Sequence, residues 1–148
     1  KIMNESISKF INEQKCVNIC CVKNNEFPYC FSSFYAFNEA AGLLYFKSSA
    51  ETNHINIICT NPAIAGTILP DKLHPLLVKG IQFRGIVLSP GDDIAADASM
   101  HYYSKFPFAL TLPGSIWTIQ LIHIKMTDST KGFGKKISWN AELSYNCN

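Results

Sequence analysis

The segment from Phe46 to His54 carries the side chains in this sequence that are best suited to binding an anion. A predicted strand ends there in a run of small hydroxyl residues, and a predicted helix follows. The hydroxyl groups of Ser48 and Thr52, the free backbone N–H groups and the positive end of the helix dipole would converge at that point. An ordinary helix cap uses the same residue types, because Ser and Thr are common at helix starts. The spacing alone therefore leaves an anion site and a plain cap as alternatives.

The spacing of the cysteines and histidines does not support a metal site or a hydrolase. Cys16 and Cys20 fall on one predicted strand, where residues four apart are separated by roughly 13 Å. Ligands of one zinc ion must all lie about 2.3 Å from it, so these two cannot share a metal. The four histidines include no pair spaced i, i+4, and the sequence has no Gly-x-Ser-x-Gly motif. We therefore expect no metal site and no serine-triad chemistry.

Two glycine-rich stretches match a phosphate-binding loop only in part. Residues 80–85 have its glycine spacing, but Ile86 and Val87 stand where that loop needs Lys and Ser or Thr. Residues 132–136 lack the upstream glycine and the hydroxyl residue. The first stretch is interpreted as a strand, and the second as a flexible basic turn with an anion contact as the alternative.

The overall composition favours one folded domain with small-molecule or protein partners. The chain has 148 residues, of which 47% are hydrophobic and 16% charged, and this argues against disorder. Its 13 basic and 11 acidic residues are spread along the chain, which is not typical of nucleic-acid or membrane-surface binding. No apolar run approaches the roughly 20 residues of a membrane span. We expect a single domain over residues 1–148, located in the cytoplasm, with no nucleic-acid or membrane partner.

The six cysteines are expected to be reduced and buried. They lie within apolar runs of a chain that is large enough to fold without disulfides. Free cysteine usually behaves as a small hydrophobic core residue. Adjacent Cys20 and Cys21 would point to opposite faces of a strand, which argues against a redox pair between them.

Hydrophobic periodicity predicts six strands and three short helices. The first helix lies within residues 1–15 behind the cap Asn4, the second follows strand three and ends at Asn61, and the third runs from residue 92 or 93 to about Lys105. The glycines at 80 and 85 suggest a bulge or bend in strand five. A helix between strands three and four favours a small barrel over a doubly wound sheet. The strands are predicted at residues 15–23, 28–37, 42–47, 63–69, 76–89 and 116–126.

A series of stretches carries a resemblance to one family. They are Leu44-Tyr45-Phe46-Lys47-Ser48, Thr52-Asn53-His54, Ile58, residues 61–66, 80–85, 105–107, 124–128 and 132–136, and Trp139. With them the sequence resembles the pyridoxamine 5'-phosphate oxidase-like flavin-binding split barrels, and within these the small YhbP-like group. The matches occur in order and cover most of the chain from Lys15 to Trp139. The resemblance implies a mainly β, six-stranded split barrel and a homodimer that binds flavin mononucleotide (FMN) in a groove built by both subunits.

The resemblance also implies which residues contact the flavin. The phosphate would lie where strand three enters the helix, and strand two would lie along the flavin ring. One further candidate contact residue lies on strand five, and a purely structural role is the alternative for it. These residues are Ser48, Thr52, Asn53 and His54 at the phosphate, Ser32, Ser33 and Phe34 along the ring, and Gln82 on strand five. The better-known oxidases have Arg and Lys at the positions of Asn53 and His54, so this sequence brings less positive charge to the phosphate. Basic residues that would hold a pyridoxamine phosphate substrate have no counterpart, so that reaction is not carried over.

Three functions remain as hypotheses. The first is a flavin-dependent oxidoreductase, with a reduced nicotinamide or a small oxidisable molecule docking against the flavin. The second is a non-catalytic module that holds a flavin or a haem, for which His54 and His101 are the histidines to consider. The third is a barrel that binds no cofactor.

Overall fold

Seven antiparallel strands and three α-helices make up the part of the chain that the computed structural model describes, residues 2–132 and 134–142. Short 3-10 turns lie at Asp93–Ala95, Pro107–Thr111 and Ser129–Lys131. No helix in the described part of the chain has the length and apolar character needed to cross a membrane. In chain order the elements are α1 (Glu5–Glu13), β1 (Cys16–Cys21), β2 (Tyr29–Asn38), β3 (Leu43–Ser48), α2 (Asn53–Thr60), β4 (Ala63–Ile68), β5 (Lys79–Val87), α3 (Ala98–Lys105), β6 (Ser115–Asp128) and β7 (Lys136–Asn140).

The sheet closes on itself to form a barrel. Its strand order is β3-β2-β1-β4-β5-β6-β7, and a further pairing of β3 with β6 joins the two sides. The closed barrel therefore has six strands, and β7 extends it by pairing with β6. The predicted fold class, a mainly β, six-stranded split barrel with short helices, is confirmed.

Three details of the predicted elements were wrong. Strand β7 was not predicted, because only two of its five residues, Ile137 and Trp139, face inward and polar residues surround them. Strand β5 begins at Lys79 rather than at residue 76, and the apolar side chains of Leu77 and Val78 are exposed. The third helix begins at residue 98, because the preceding residues form a separate 3-10 turn.

Helices α1 and α2 cover opposite ends of the barrel. Helix α1 leads into the start of β1, whereas α2 leads into the start of the antiparallel neighbour β4. The predicted apolar face of α1 is buried, and Ile7, Phe10 and Ile11 are at most 2% exposed. Asn4 caps this helix as expected, since its side chain accepts a hydrogen bond from the backbone N–H of Ser6 at 2.9 Å.

Helix α3 and the turn Pro107–Thr111 pack on the outside of β2 and β3. Tyr102 and Phe106 cover Ala36, Leu43 and Tyr45, and together they form a second apolar cluster outside the barrel. This layer leaves the outer faces of β1, β4 and β5 open. Clefts lie on this open outer face and along its border with the part of the barrel that α3 covers.

The bend predicted in strand five is present at Gly85. The pairing of β5 with β6 shifts register between Arg84 and Gly85. A Cβ atom at Gly85 would lie 2.7 Å from the carbonyl oxygen of Gln120, which is closer than real Cβ contacts come. Glycine is required here because the backbone of β6 passes so near.

Candidate functional site

Ser48, Thr52 and His54 lie together where β3 ends and α2 begins, and we call these three residues the Ser48 cluster. The Ser48 hydroxyl oxygen lies 2.6 Å from Nε2 of His54 and 3.3 Å from the hydroxyl oxygen of Thr52. The end of β3 is held by the Trp117 indole, which donates to the carbonyl oxygen of Ser48 at 3.0 Å. Trp117 had not been singled out from the sequence.

Helix α2 begins without a side-chain cap. Thr52 is the N-cap residue with an extended backbone, but its hydroxyl donates to the carbonyl oxygen of Ser49 at 2.9 Å and caps no N–H group. The backbone N–H groups of residues 53–55 therefore have no hydrogen-bond acceptor among the described residues. The spacing in the sequence left an anion site and a plain side-chain cap as alternatives. The structure does not contain the side-chain cap. Three N–H donors and a helix dipole remain directed out of the end of α2.

The imidazole of His54 is held in place by stacking. Its ring lies 3.8 Å from the ring of Phe31 at an interplanar angle of 12°, and Phe31 in turn packs against Phe46. Burial lowers the pKa of His54 from its ordinary value of 6.5, so the ring is neutral at pH 7. An anion bound beside the ring would favour its protonated form and thereby raise this pKa.

Asn53 occupies the first turn of α2 and is exposed. Its side chain forms no hydrogen bond to any described residue, and its backbone N–H is one of the three free donors. At this position Asn53 can therefore offer an anion hydrogen bonds but no charge.

A cleft opens at the point where β2 and β3 separate. Their pairing stops at Tyr35 and Phe46, although both strands continue past that pair. The resulting β2–β3 cleft has a volume of about 370 Å³, which is within the size range of ligand pockets. Its lining residue Lys47 directly precedes Ser48 in β3, but neighbouring strand residues point to opposite faces, so the Ser48 side chain is not part of the lining. Its lining also includes Ser32, Ser33, Phe34, Tyr102 and Phe108.

The three predicted ring contacts on β2 all line this cleft, but they differ in environment. The hydroxyl of Ser32 accepts a hydrogen bond from the Asn18 amide at 3.2 Å, and that of Ser33 donates to the carbonyl oxygen of Phe34 at 3.0 Å. Phe34 is 46% exposed, and its other side packs against Phe106 with ring centroids 5.4 Å apart. An exposed aromatic face beside hydroxyl groups suits a planar, partly polar ligand.

Lys47 forms one wall of the β2–β3 cleft. Its ammonium group donates to the Tyr103 hydroxyl at 2.9 Å and to the carbonyl oxygens of Ala109 and Leu112, both at 2.6 Å. The bond to Tyr103 attaches α3 to β3, and the other two attach the segment after α3. The ammonium is thus engaged in holding the wall and is not directed at the Ser48 cluster.

Gln82 lies on the opposite side of the barrel, in a second cleft that we call the outer cleft. Pairing places Asn18, Thr67 and Gln82 in one row across β1, β4 and β5, and Ser32 precedes them on β2. Gln82 is therefore three strand spacings, roughly 14 Å, from Ser32 within one chain. The outer cleft has a volume of about 550 Å³ and is lined by Asn18, Cys20, Cys30, Thr67, Gln82, Arg84, His123 and Lys125, among others.

The expectation of buried cysteines was wrong for three of the five that the structure describes. Cys16, Cys30 and Cys59 are exposed, Cys20 is half-buried, and Cys21 is buried; all five are free. Apolar residues of β1 and β2 lie on both faces of these strands. The sequence does not show that the outer face is left uncovered, so the cysteines on it were expected to be buried. Cys147 lies outside the described residues.

Metal-ligating side chains do not cluster in the part of the chain that the structure describes. Within residues 2–132 and 134–142, no three His, Cys, Asp or Glu side chains are grouped so that they could hold a metal ion. The glycine-rich basic stretch at 132–136 enters β7 at Lys136, and its Phe133 lies outside the described residues.

Comparison with known proteins gives close relatives in sequence and more distant ones in structure. No family model matches the sequence. A UPF0306 protein of Yersinia enterocolitica is 34% identical over 134 residues, which cover 90% of each chain. A UPF0306 protein of Yersinia pseudotuberculosis is 32% identical with the same coverage.

Several solved structures share the fold. A heme binding protein from Mycobacterium smegmatis superposes with a TM-score of 0.72 at 14% identity, covering 88% of this chain and 55% of that one. A FAD-binding protein from Mesorhizobium loti gives 0.63 at 17% identity, covering 82% and 92%. The heme storage protein HutZ from Vibrio cholerae gives 0.61 at 13% identity, covering 82% and 89%. The split-barrel resemblance is thus confirmed, and at these identities the likeness concerns the fold alone.

Proposed function

This chain belongs to the UPF0306 family and has the pyridoxamine 5'-phosphate oxidase-like split-barrel fold, and we propose that it is an FMN-binding protein whose phosphate site is the Ser48 cluster. A FAD-binding protein of the same fold supports a flavin as the cofactor. The observation that carries the proposal is the start of α2, where three backbone N–H groups have no side-chain cap.

The chemistry of this donor set fits a phosphate. The free N–H groups at the helix start can donate hydrogen bonds to an anion directly, whereas the Ser48 and Thr52 hydroxyls and the His54 ring would donate to it after turning from their present partners. Hydrogen bonds to a charged group contribute roughly 1.5–3 kcal/mol each, so several of them offset the absence of Arg and Lys at Asn53 and His54. Burial of His54 leaves the site without a fixed positive charge, and binding of the anion would bring a proton onto the ring.

The β2–β3 cleft is the place we propose for the flavin ring. It reaches Lys47, which precedes Ser48 in the chain, and offers the exposed face of Phe34, with Ser32 and Ser33 along the proposed ring edge. A bound flavin would supply electron transfer with a reduced nicotinamide or another small substrate. The residues of this chain would bind and orient it, and Lys47 would keep the cleft wall in position.

We also propose that the protein is a homodimer. Large apolar side chains are exposed around the barrel, among them Phe27 at 95%, Leu76 at 84% and Leu73 at 72%. Such surface is more than a small monomer normally leaves in water. A second copy would cover it and would close the open side of the cleft.

Two threonines on α2 provide a matched test of the phosphate site. Thr52 and Thr60 each donate one hydroxyl hydrogen bond to a backbone carbonyl, at 2.9 and 3.2 Å, but only Thr52 lies at the helix start. Thr52→Ala should weaken FMN binding, measured by quenching of flavin fluorescence, about tenfold or more, because the Thr52 hydroxyl would turn from the Ser49 carbonyl to donate to the phosphate and the variant lacks it. Thr60→Ala should bind as the wild type does. Equal effects of the two substitutions would contradict the proposal.

Haem is the second candidate cofactor, and one observation favours it. His123 lies in the outer cleft with Arg84 and Lys125, and its ring forms no hydrogen bond to a described residue. His54 and His101 are both engaged, His54 with Ser48 and His101 with Asn38 at 3.3 Å. A Soret band that is shifted and sharpened relative to that of free hemin, and that reverts to the free-hemin spectrum in His123→Ala, would support haem; a free-hemin spectrum with the wild type would exclude this candidate.

A further inference from the structure

Cys20 and Cys30 are directly opposite each other on β1 and β2. Tyr35 donates its backbone N–H to the carbonyl oxygen of Lys15 at 3.0 Å, so those two opposed residues form a hydrogen-bonded pair. Hydrogen-bonded and non-hydrogen-bonded pairs alternate along an antiparallel ladder, so the pair of Cys20 and Cys30, five positions further along, is non-hydrogen-bonded. Residues in such pairs have Cα atoms about 4.5 Å apart, within the span of roughly 4.4–6.8 Å that a disulfide bridges.

Both thiols face the open outer side of the barrel. Cys30 is exposed and Cys20 is half-buried, and both line the outer cleft. Burial and the hydrogen bond with Cys30 raise the pKa of the Cys20 thiol. Cys30 is thus the thiol that an incoming reagent meets first, and Cys20 is the neighbour within reach of it.

The outer cleft carries positive charge beside this pair. Cys20, Ala65 and Arg84 form one row across β1, β4 and β5, so only the small side chain of Ala65 stands between Cys20 and Arg84. Lys125 lies on β6 opposite Gln82. Neither Arg84 nor Lys125 forms an ion pair or hydrogen bond with the described part of the chain, and the residues lining the cleft include no carboxylate.

We propose that Cys20 and Cys30 are a reactive thiol pair that is oxidised to a disulfide by low-molecular-weight disulfides bearing carboxylates, which bind to Arg84 and Lys125. The Cys30 thiolate attacks one sulfur of the reagent, forming a mixed disulfide and releasing the first reagent thiol. The Cys20 thiolate then attacks the Cys30 sulfur, forming the Cys20–Cys30 bond and releasing the second reagent thiol. The two protein thiols lose two electrons and two protons, and the reagent disulfide gains both. This site is distinct from the Ser48 cluster, so the inference does not depend on the flavin.

Reagent disulfides of opposite charge give a direct test. The purified, reduced protein is treated with oxidised glutathione, which bears carboxylates, or with cystamine, which is cationic, at equal concentration. Because trypsin cleaves after Lys23, a Cys20–Cys30 bond joins two peptides that mass spectrometry resolves. The tryptic peptide of Cys20 also carries Cys16 and Cys21, so fragment ions of the linked peptides, and loss of the link in Cys20→Ser, assign the bond to Cys20. Cys16→Ser, which removes an exposed thiol of the same strand, serves as the matched control.

The expected result is a disulfide between Cys20 and Cys30 that forms roughly tenfold faster with oxidised glutathione than with cystamine, because the cationic cleft concentrates anions. Arg84→Gln should remove most of this difference, and Cys16→Ser should leave it unchanged. Stable mixed disulfides at Cys30 without the internal bond would overturn the proposal. So would equal rates with the two reagents.

Discussion

At the scale of single residues, His54 is the group expected to make the proposed phosphate site respond to pH. Stacking on Phe31 buries its ring, and burial lowers its pKa below 6.5. In the free protein the unfolded chain therefore takes up a proton at a higher pH than the folded chain does. The contribution of His54 to the free energy of unfolding is fully present above pH 6.5, and it is lost as the pH falls from 6.5 through the lower pKa of the folded state. A bound phosphate opposes this loss, because it favours the charged ring.

The pH dependence of FMN binding should therefore reside in His54. The ratio of the FMN dissociation constants of His54→Ala and wild type should grow as the pH is lowered from 8 to about 5.5, where the bound ring gains its charge. The phosphate group of FMN also takes up a proton near pH 6. This protonation affects binding to both proteins, so it cancels in the ratio of their dissociation constants. His74→Ala, on an exposed loop, should show a ratio of about one throughout. A ratio for His54→Ala that does not change with pH would contradict this account.

The chemistry of the Ser48 cluster could be predicted from the sequence only as a pair of alternatives. Residue types and spacing indicated that Ser48 and Thr52 stand at a strand-to-helix junction, and this is where they lie. Whether Thr52 caps the helix depends on which way its hydroxyl rotates, and three-dimensional packing decides that. Likewise the positions of Arg84, His123 and Lys125 on adjoining strands follow from the register of β5 with β6, which includes a bulge and has no local signal.

At the scale of elements, the strand pattern was largely predictable because alternating apolar residues mark one buried face. The failures occurred where an apolar residue faces solvent or where a strand is short. Residues 76–78 are apolar but precede β5, and the alternation in β7 spans only five residues with two apolar positions. The exposure of Cys16 and Cys30 has the same origin, because the outer face of β1 and β2 is left uncovered.

Close packing between neighbouring strands makes Gly66 on β4 sensitive to substitution. A Cβ atom there would lie 2.4 Å from the Phe83 ring and 2.5 Å from the carbonyl oxygen of Asn18. Gly66→Ala should lower the free energy of unfolding by about 1–3 kcal/mol, since the backbone of β1 cannot move away without breaking the ladder. Gly80→Ala is the control, because its new Cβ would lie 3.3 Å from a flexible Leu69 side chain. Urea denaturation that gives equal losses for both would be inconsistent with this packing.

The wall of the β2–β3 cleft depends on Lys47. Lys47→Met keeps most of the apolar stem but removes one hydrogen bond from its ammonium to Tyr103 of α3 and two to the segment after α3. We expect cleavage by a protease within residues 107–113 to become faster and the free energy of unfolding to fall by about 2 kcal/mol. Lys72→Met, on an exposed loop, should change neither. Unchanged proteolysis of Lys47→Met would show that the segment is held by other contacts.

At the scale of the whole molecule, the proposed second subunit would cover the exposed apolar side chains and the open side of the β2–β3 cleft. Light scattering after gel filtration at micromolar concentration should give the mass of two chains, with or without added FMN. Leu76→Glu and Leu73→Glu, on the most exposed apolar loop, should shift the mass toward a monomer if that loop lies in the interface. A monomer mass for the wild type would contradict the homodimer and the shared flavin groove.

The central claim is that the start of α2 and the Ser48 cluster bind a flavin phosphate, and the most direct measurement compares FMN with riboflavin. The two ligands share the ring and differ only in the phosphate, so contacts in the β2–β3 cleft cancel in the comparison. Two or more charge-assisted hydrogen bonds predict that FMN binds at least about a hundredfold tighter at pH 7, as measured by fluorescence titration. Equal dissociation constants for FMN and riboflavin would contradict the account.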